Sequence, residues 1–113
     1  MLKKEYRLKK KKDFQNVFEK GETIAGRFVF FKKAKNKSDE KRFGFIVSSK
    51  VSKKAVVRNK IKRRLRAIVK EEVDNIKSGL DMVIIAKPQV VDKSFNEIKE
   101  EVLELFKKAD LHK

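Results

Sequence analysis

Hydrophobic positions along this chain keep two different periods. Phe14, Val17 and Phe18 stand at i, i+3 and i+4, the stripe of a short amphipathic helix from Asp13 through Lys20. Gly21 follows the last turn as a natural stop. The period then shortens. Arg27-Phe28-Val29-Phe30-Phe31-Lys32-Lys33 is aromatic and β-branched, and predicts a strand with apolar side chains on both faces. Lys35 to Lys41, with Asn36, Ser38 and Asp39, reads as a hairpin-like polar loop. Arg42-Phe43-Gly44-Phe45-Ile46-Val47-Ser48-Ser49 is the next strand, and Gly44 inside it predicts a bulge or a close backbone approach.

Helical spacing returns with Val57, Ile61, Leu65, Ile68 and Val69, and predicts a helix running to about Lys77 before Gly79 ends it. Met82-Val83-Ile84-Ile85-Ala86 is a continuous apolar run within Leu80 to Ala86. It fits a central strand covered on both faces, stopped by Pro88. Ser94-Phe95-Asn96-Glu97 is a capping-box pattern. Phe95, Ile98, Val102, Leu105 and Phe106 then mark a last helix to about Ala109, with Glu97, Glu100, Glu101 and Glu104 on its outer face. The order helix, strands, helix, strand, helix predicts an α+β fold: an α/β sandwich in which helices pack on a mixed sheet. Residues 1–113 read as a single RNA-binding domain, with residues 1–12 a basic arm that is mobile when free.

Charge changes what this fold is for. The 113 residues carry 32 Lys and Arg against 16 acids, a formal net charge of +16, which makes nucleic acid the leading partner. There is no Cys for a disulfide or a thiolate metal site. No apolar run is long enough to cross a bilayer, and the N-terminus is charged from Lys3 onward without a signal-peptide core. A cytoplasmic protein with no membrane partner is expected.

The charge is also unevenly placed. Lys50 to Arg66 holds Lys50, Lys53, Lys54, Arg58, Lys60, Lys62, Arg63, Arg64 and Arg66, and no acid. Such a stretch forgoes i,i+4 pairs of opposite sign and repels itself, unless a polyanion lies against it. Arg adds a planar fork that fits phosphate bidentately. On a helical wheel Asn59, Lys62, Arg63, Arg66 and Lys70 lie opposite the aliphatic stripe, so one face anchors the helix and the other is offered to phosphates.

Ala55-Val56-Val57-Arg58-Asn59-Lys60-Ile61-Lys62-Arg63-Arg64-Leu65-Arg66 resembles the Arg-Asn-Arg signature of the bacterial ribonuclease P protein component. Arg58, Asn59, Lys60, Lys62, Arg63 and Arg66 sit on its fixed positions. Asp13-Phe14-Gln15-Asn16-Val17-Phe18-Glu19-Lys20-Gly21 is similar to the family's first helix, and Arg42 to Ser48 to its strand before the signature. One departure is the turn Val51-Ser52-Lys53-Lys54-Ala55, which has no Gly and one extra residue.

The resemblance implies a left-handed strand–helix–strand crossover. It also implies a role as the small subunit of an enzyme whose catalyst is a large RNA with bound Mg²⁺. That RNA removes the 5′ leader of precursor tRNA, and the protein, expected at one copy per RNA, binds no metal of its own. By the same resemblance Phe14, Phe18 and Phe31 are candidates for the leader. Arg58, Lys62 and Arg66 share one wheel sector and, with Asn59, are assigned to the leader on that ground, which leaves Lys54, Lys60, Arg63, Arg64 and Lys70 as candidates for the catalytic RNA.

The residues themselves predict no active site. The single histidine, His112, lies two places from the C-terminus and reads as a tail residue. The acids keep the spacing of solvated faces. Phe14, Phe18 and Phe31 have two readings: core, or a platform on which single-stranded RNA bases stack. Rival readings are a small basic ribosomal or other RNA-binding protein, a helix-turn-helix DNA-binding protein, and a stand-alone nuclease.

Overall fold

The computed structural model describes residues 2–113. Three helices, α1 (Lys11–Lys20), α2 (Ala55–Glu72) and α3 (Phe95–Lys108), pack on four strands, β1 (Glu22–Ile24), β2 (Val29–Lys35), β3 (Lys41–Ile46) and β4 (Leu80–Ala86). The strands lie in the order β1-β2-β4-β3. β1 and β4 both run antiparallel to β2, while β3 and β4 are parallel. The sheet is mixed, as expected, and α2 is the crossover of its parallel pair. β1 was not foreseen: Glu22-Thr23-Ile24 is too short to show a period. α2 stops at Glu72 in a 3-10 turn over Val73–Asn75, short of the expected Lys77.

β4 is interior, which explains its unbroken apolar run: Met82, Val83 and Ile84 are all fully buried. Its even positions face α2 and α3. There Ile24, Val29, Phe31, Phe43, Met82 and Ile84 meet Ile61, Leu65, Ile68 and Val69 of α2, and Ile98, Val102, Leu105 and Phe106 of α3. The opposite face carries a smaller cluster, with Leu8, Val17 and Val83 at its centre and Phe14, Ala34, Ile46 and Ile85 half-buried around it. Gly44 is a close approach, not a bulge. A Cβ there would lie 2.5 Å from Cε1 of Phe14, so the glycine lets α1 settle on β3.

The N-terminal arm is docked, contrary to the expectation of a mobile segment. Leu2 and Leu8 are buried, and the Leu8 N–H donates to the Phe43 carbonyl at 2.8 Å. Arg7 forms a parallel bridge with Phe43, so the arm covers the open edge of β3. His112 is docked too. It bridges to Ile76, stands edge-on to Phe106 with centroids 6.1 Å apart, and places Nε2 3.5 Å from a Glu72 carboxylate oxygen. The expected capping box is present at α3: the Glu97 N–H donates to Ser94 Oγ, and the Ser94 N–H to Glu97 Oε1.

One buried ion pair ties the small face together. Asp81 is 2 % exposed and accepts from Arg42 Nε at 2.9 Å and from a terminal Arg42 nitrogen at 2.8 Å. Asn36 adds a third hydrogen bond to Asp81, and Arg42 reaches Asp13 of α1 at 3.2 Å. The Asp81 hydrogen bond, opposed by burial, raises the Arg42 guanidinium above its ordinary value. Removing Arg42 would leave a desolvated carboxylate with one neutral partner. Arg42→Ala is therefore expected to cost about 3 kcal/mol, the low end for breaking a buried pair. Urea unfolding of the two proteins checks this, and a loss under about 0.5 kcal/mol would remove the pair from the list of stabilising contacts.

Candidate nucleic-acid interface

α2 presents three kinds of surface, and each follows from the wheel position of its residues. Ile61, Leu65, Ile68 and Val69 face the core. The flank toward β3 carries Arg58, Lys62 and Arg66, one turn apart. Arg66 lies 5.9 Å from the Phe45 ring centroid, and Arg58 donates to the Ser52 carbonyl at 2.8 Å. The turn that lacks the family's glycine is thus held partly by Arg58 itself, with Lys54 N–H donating to Ser52 Oγ at 3.2 Å. The flank toward α3 carries Lys60 and Arg64, and Arg64 donates to the Lys93 carbonyl at 3.0 Å. Asn59, Arg63 and Lys70 project outward and are exposed, as is Lys54 at the N-cap. The two expected groups of basic residues therefore fall mainly on different sides of one helix.

The aromatic candidates do not stay together. Phe31 is 1 % exposed and lies on the face covered by α2 and α3. It pairs with Ile24 on one side and Ile84 on the other, and packs edge-on to Phe106 with centroids 5.7 Å apart. No base can reach it, so the expectation that Phe31 offers a stacking surface is corrected: it is core. Its neighbours Phe30 and Lys32 lie on the opposite, partly open face. The sequence showed apolar residues on both sides of this strand and could not say which side α3 would cover.

Phe14 is half-buried against Gly44, and Phe18 is 40 % exposed. α1 covers only part of its sheet face. Beside it remain Phe30, Lys32, Ile46 and Ile85, all half-buried. Lys32 Nζ lies 5.8 Å from the Phe18 ring centroid and 3.5 Å from the Phe18 carbonyl. The result is an open strip with an aromatic wall on α1, an apolar floor on the sheet and a lysine between them. β3 forms its far edge, and the Arg58–Lys62–Arg66 flank of α2 lies behind that edge. Stacking and charge neutralisation are what such a strip can supply to a single strand of nucleic acid.

Protein-family comparison matches this architecture. The family model described as Ribonuclease P matches residues 2–110. The chain belongs to that family. The Ribonuclease P protein component of Bacillus velezensis is 43 % identical over 99 % of this chain and 96 % of its own length, and that of Syntrophomonas wolfei is 40 % identical over 98 % and 92 %. The solved RNase P protein of Staphylococcus aureus superposes with a TM-score of 0.88 at 34 % identity, covering 96 % of this chain and 98 % of that one. The RNase P protein of Thermotoga maritima gives 0.81 at 30 % identity, over 90 % and 96 %. The signature in α2 that suggested the Ribonuclease P family thus sits in the Ribonuclease P fold.

Among the described residues no three His, Cys, Asp or Glu side chains come together as a metal-binding group, and no helix is long and apolar enough to cross a membrane.

The split between Phe31 and Phe18 has a stability consequence. Phe31→Ala should destabilise the free protein by about 3–5 kcal/mol, the range for a buried Phe. Phe18→Ala should cost no more than about 1 kcal/mol, nearer to a surface substitution. Equal losses in chemical unfolding would contradict the assignment of the two rings.

Proposed function

We propose that this chain is the protein subunit of a bacterial ribonuclease P holoenzyme, binding both the catalytic RNA and the 5′ leader of precursor tRNA. In this reading the RNA performs the Mg²⁺-dependent hydrolysis and the protein supplies binding surface, one copy per RNA, in the cytoplasm. The observation that carries the reading is the partly covered sheet face, with exposed Phe18 beside Lys32 and an acid-free flank of α2 behind its β3 edge. The leader is the single-stranded part of the substrate, so its bases are free to stack on Phe18 and Phe30. Its phosphates meet Arg58, Lys62 and Arg66, with Asn59 and Phe14 at the margins. Lys54, Lys60, Arg63, Arg64 and Lys70 face the catalytic RNA.

Family membership supports this reading over a ribosomal protein. The helix-turn-helix alternative fails on topology, because α2 is joined to strands at both ends and not to a second helix by a tight turn.

Two measurements test the proposal. Phe18→Ala in the reconstituted holoenzyme should weaken precursor tRNA by about 1–3 kcal/mol, one base–aromatic contact, and leave mature tRNA unchanged. An equal loss for both RNAs would place Phe18 outside the leader's path. Arg63→Ala should lower the log–log salt slope of catalytic-RNA binding by roughly 0.7–0.9, one phosphate contact. An unaltered slope and affinity would take Arg63 out of that interface.

A further inference from the structure

Glu101 was expected on the outer, solvated face of α3, but it is 4 % exposed. Its carboxylate accepts three consecutive backbone N–H groups: Arg27 at 2.7 Å on Oε1, Phe28 at 2.6 Å and Val29 at 2.9 Å, both on Oε2. Converging amides of this kind form a concave anion site. Here the chain fills that site with its own side chain. Arg27 adds charge from outside, its Nε 3.6 Å from Oε1. Gly26 serves both the turn and the approach: a Cβ there would collide with the Val29 carbonyl oxygen and would lie 2.9 Å from Leu105 Cδ1 and 3.2 Å from the Glu101 carboxyl carbon.

The same loop is held from its other side by a cation. Lys87 donates to the Gly26 carbonyl at 2.7 Å, and its Nζ lies 6.0 Å from the Phe30 ring centroid. The entry to β2 is therefore clamped between the carboxylate of α3 and the ammonium at the end of β4. Val29 is the first residue of β2, and Phe30 and Lys32 follow it on the open sheet face. An apolar residue at position 101 would take the partner from three N–H groups, that of Val29 buried and the other two partly so, and the strand start would have to move to find partners. Phe30 and Lys32 would move with it, whereas the basic face of α2 would not.

We propose that residues 26–29 form an anion nest occupied by Glu101, and that Glu101 is thereby a positioning residue for the β2 wall of the leader strip. The positioning half rests on the leader reading above; the nest does not. The test uses the full chain carrying Glu101→Ala, with formate as the probe anion. In the free protein the amide resonances of Arg27, Phe28 and Val29 should shift in the variant. They should return toward their original positions, saturably, as formate is added. Wild-type resonances should not respond. In the holoenzyme the preference for precursor over mature tRNA should fall at least about fivefold, the low end for one base–aromatic contact, and formate should restore it.

If Glu101→Ala does not fold, Glu101→Gln goes through the same assays. Gln keeps the volume and one acceptor oxygen, so a smaller loss without formate rescue is expected. Amides that do not move in either variant, or that show no saturable formate response in Glu101→Ala, overturn the nest. If the preference falls in Phe18→Ala and holds in Glu101→Ala, the positioning role is overturned and the leader reading stands. If it holds in both, the leader reading falls and takes the positioning role with it.

Discussion

A four-stranded sheet has two faces to cover, and this chain has helices enough to cover one completely and the other in part. α2 and α3 close one face around Phe31, Leu65 and Phe106. α1, ten residues long, lies alone on the other. Gly44 lets it sit close, and Val17 and Val83 meet beneath it. The remaining strip of sheet keeps aromatic and aliphatic side chains half in solvent. A sheet exposing such surface is stable here because the Asp81–Arg42–Asp13 network and the docked arm fix the strands from their ends and edge. The strands beneath the strip are thus held by contacts that need no ligand.

Charge is segregated around that strip. α2 carries its cations on the flank toward β3, on the outside and on the flank toward α3. Ile61, Leu65, Ile68 and Val69 hold it down against the mutual repulsion of those cations. α3 instead carries Glu97, Glu100 and Glu104 exposed along its outer face. A polyanion approaching this molecule is drawn most strongly to the acid-free stretch of α2. Phosphate neutralisation by Lys and Arg then releases counterions, which makes association strongly dependent on salt.

Much of this was legible in the sequence. The helical stripes of α1, α2 and α3, the interior strand β4 and the capping box all follow from spacing, and the structure places them accordingly. The signature in α2 carried the family. What was not legible depends on registry between distant segments. Phe28, Val29, Phe30 and Phe31 look alike in sequence. Only the pairing of Phe31 with Ile84, and of Ala34 with the buried Asp81, decides which of them faces α3. Asp81 was the one available signal, since a lone acid in an apolar strand marks the thinly covered face, but its register with β2 was unknown. Glu101 misled for a similar reason. Glu97, four residues before it, and Glu104, three after, read with it as a solvated acidic face, although Ile98 and Leu105 at i−3 and i+4 lie on the buried stripe, and nothing local announces three amides more than seventy residues earlier in the chain. The docked arm and His112 were missed because their anchors, Phe43 and Ile76, lie far away in sequence.

Site-specific photo-cross-linking would show whether the precursor's single-stranded leader lies on the open sheet face beside α1, as proposed. A 4-thiouridine placed in the leader of precursor tRNA, bound to the reconstituted holoenzyme, would be irradiated and its protein adduct mapped by mass spectrometry. A leader on that face gives adducts on Phe14 or Phe18 of α1 and on Phe30 or Lys32 of β2. Adducts confined to α3, around Glu100 and Glu104, would contradict it.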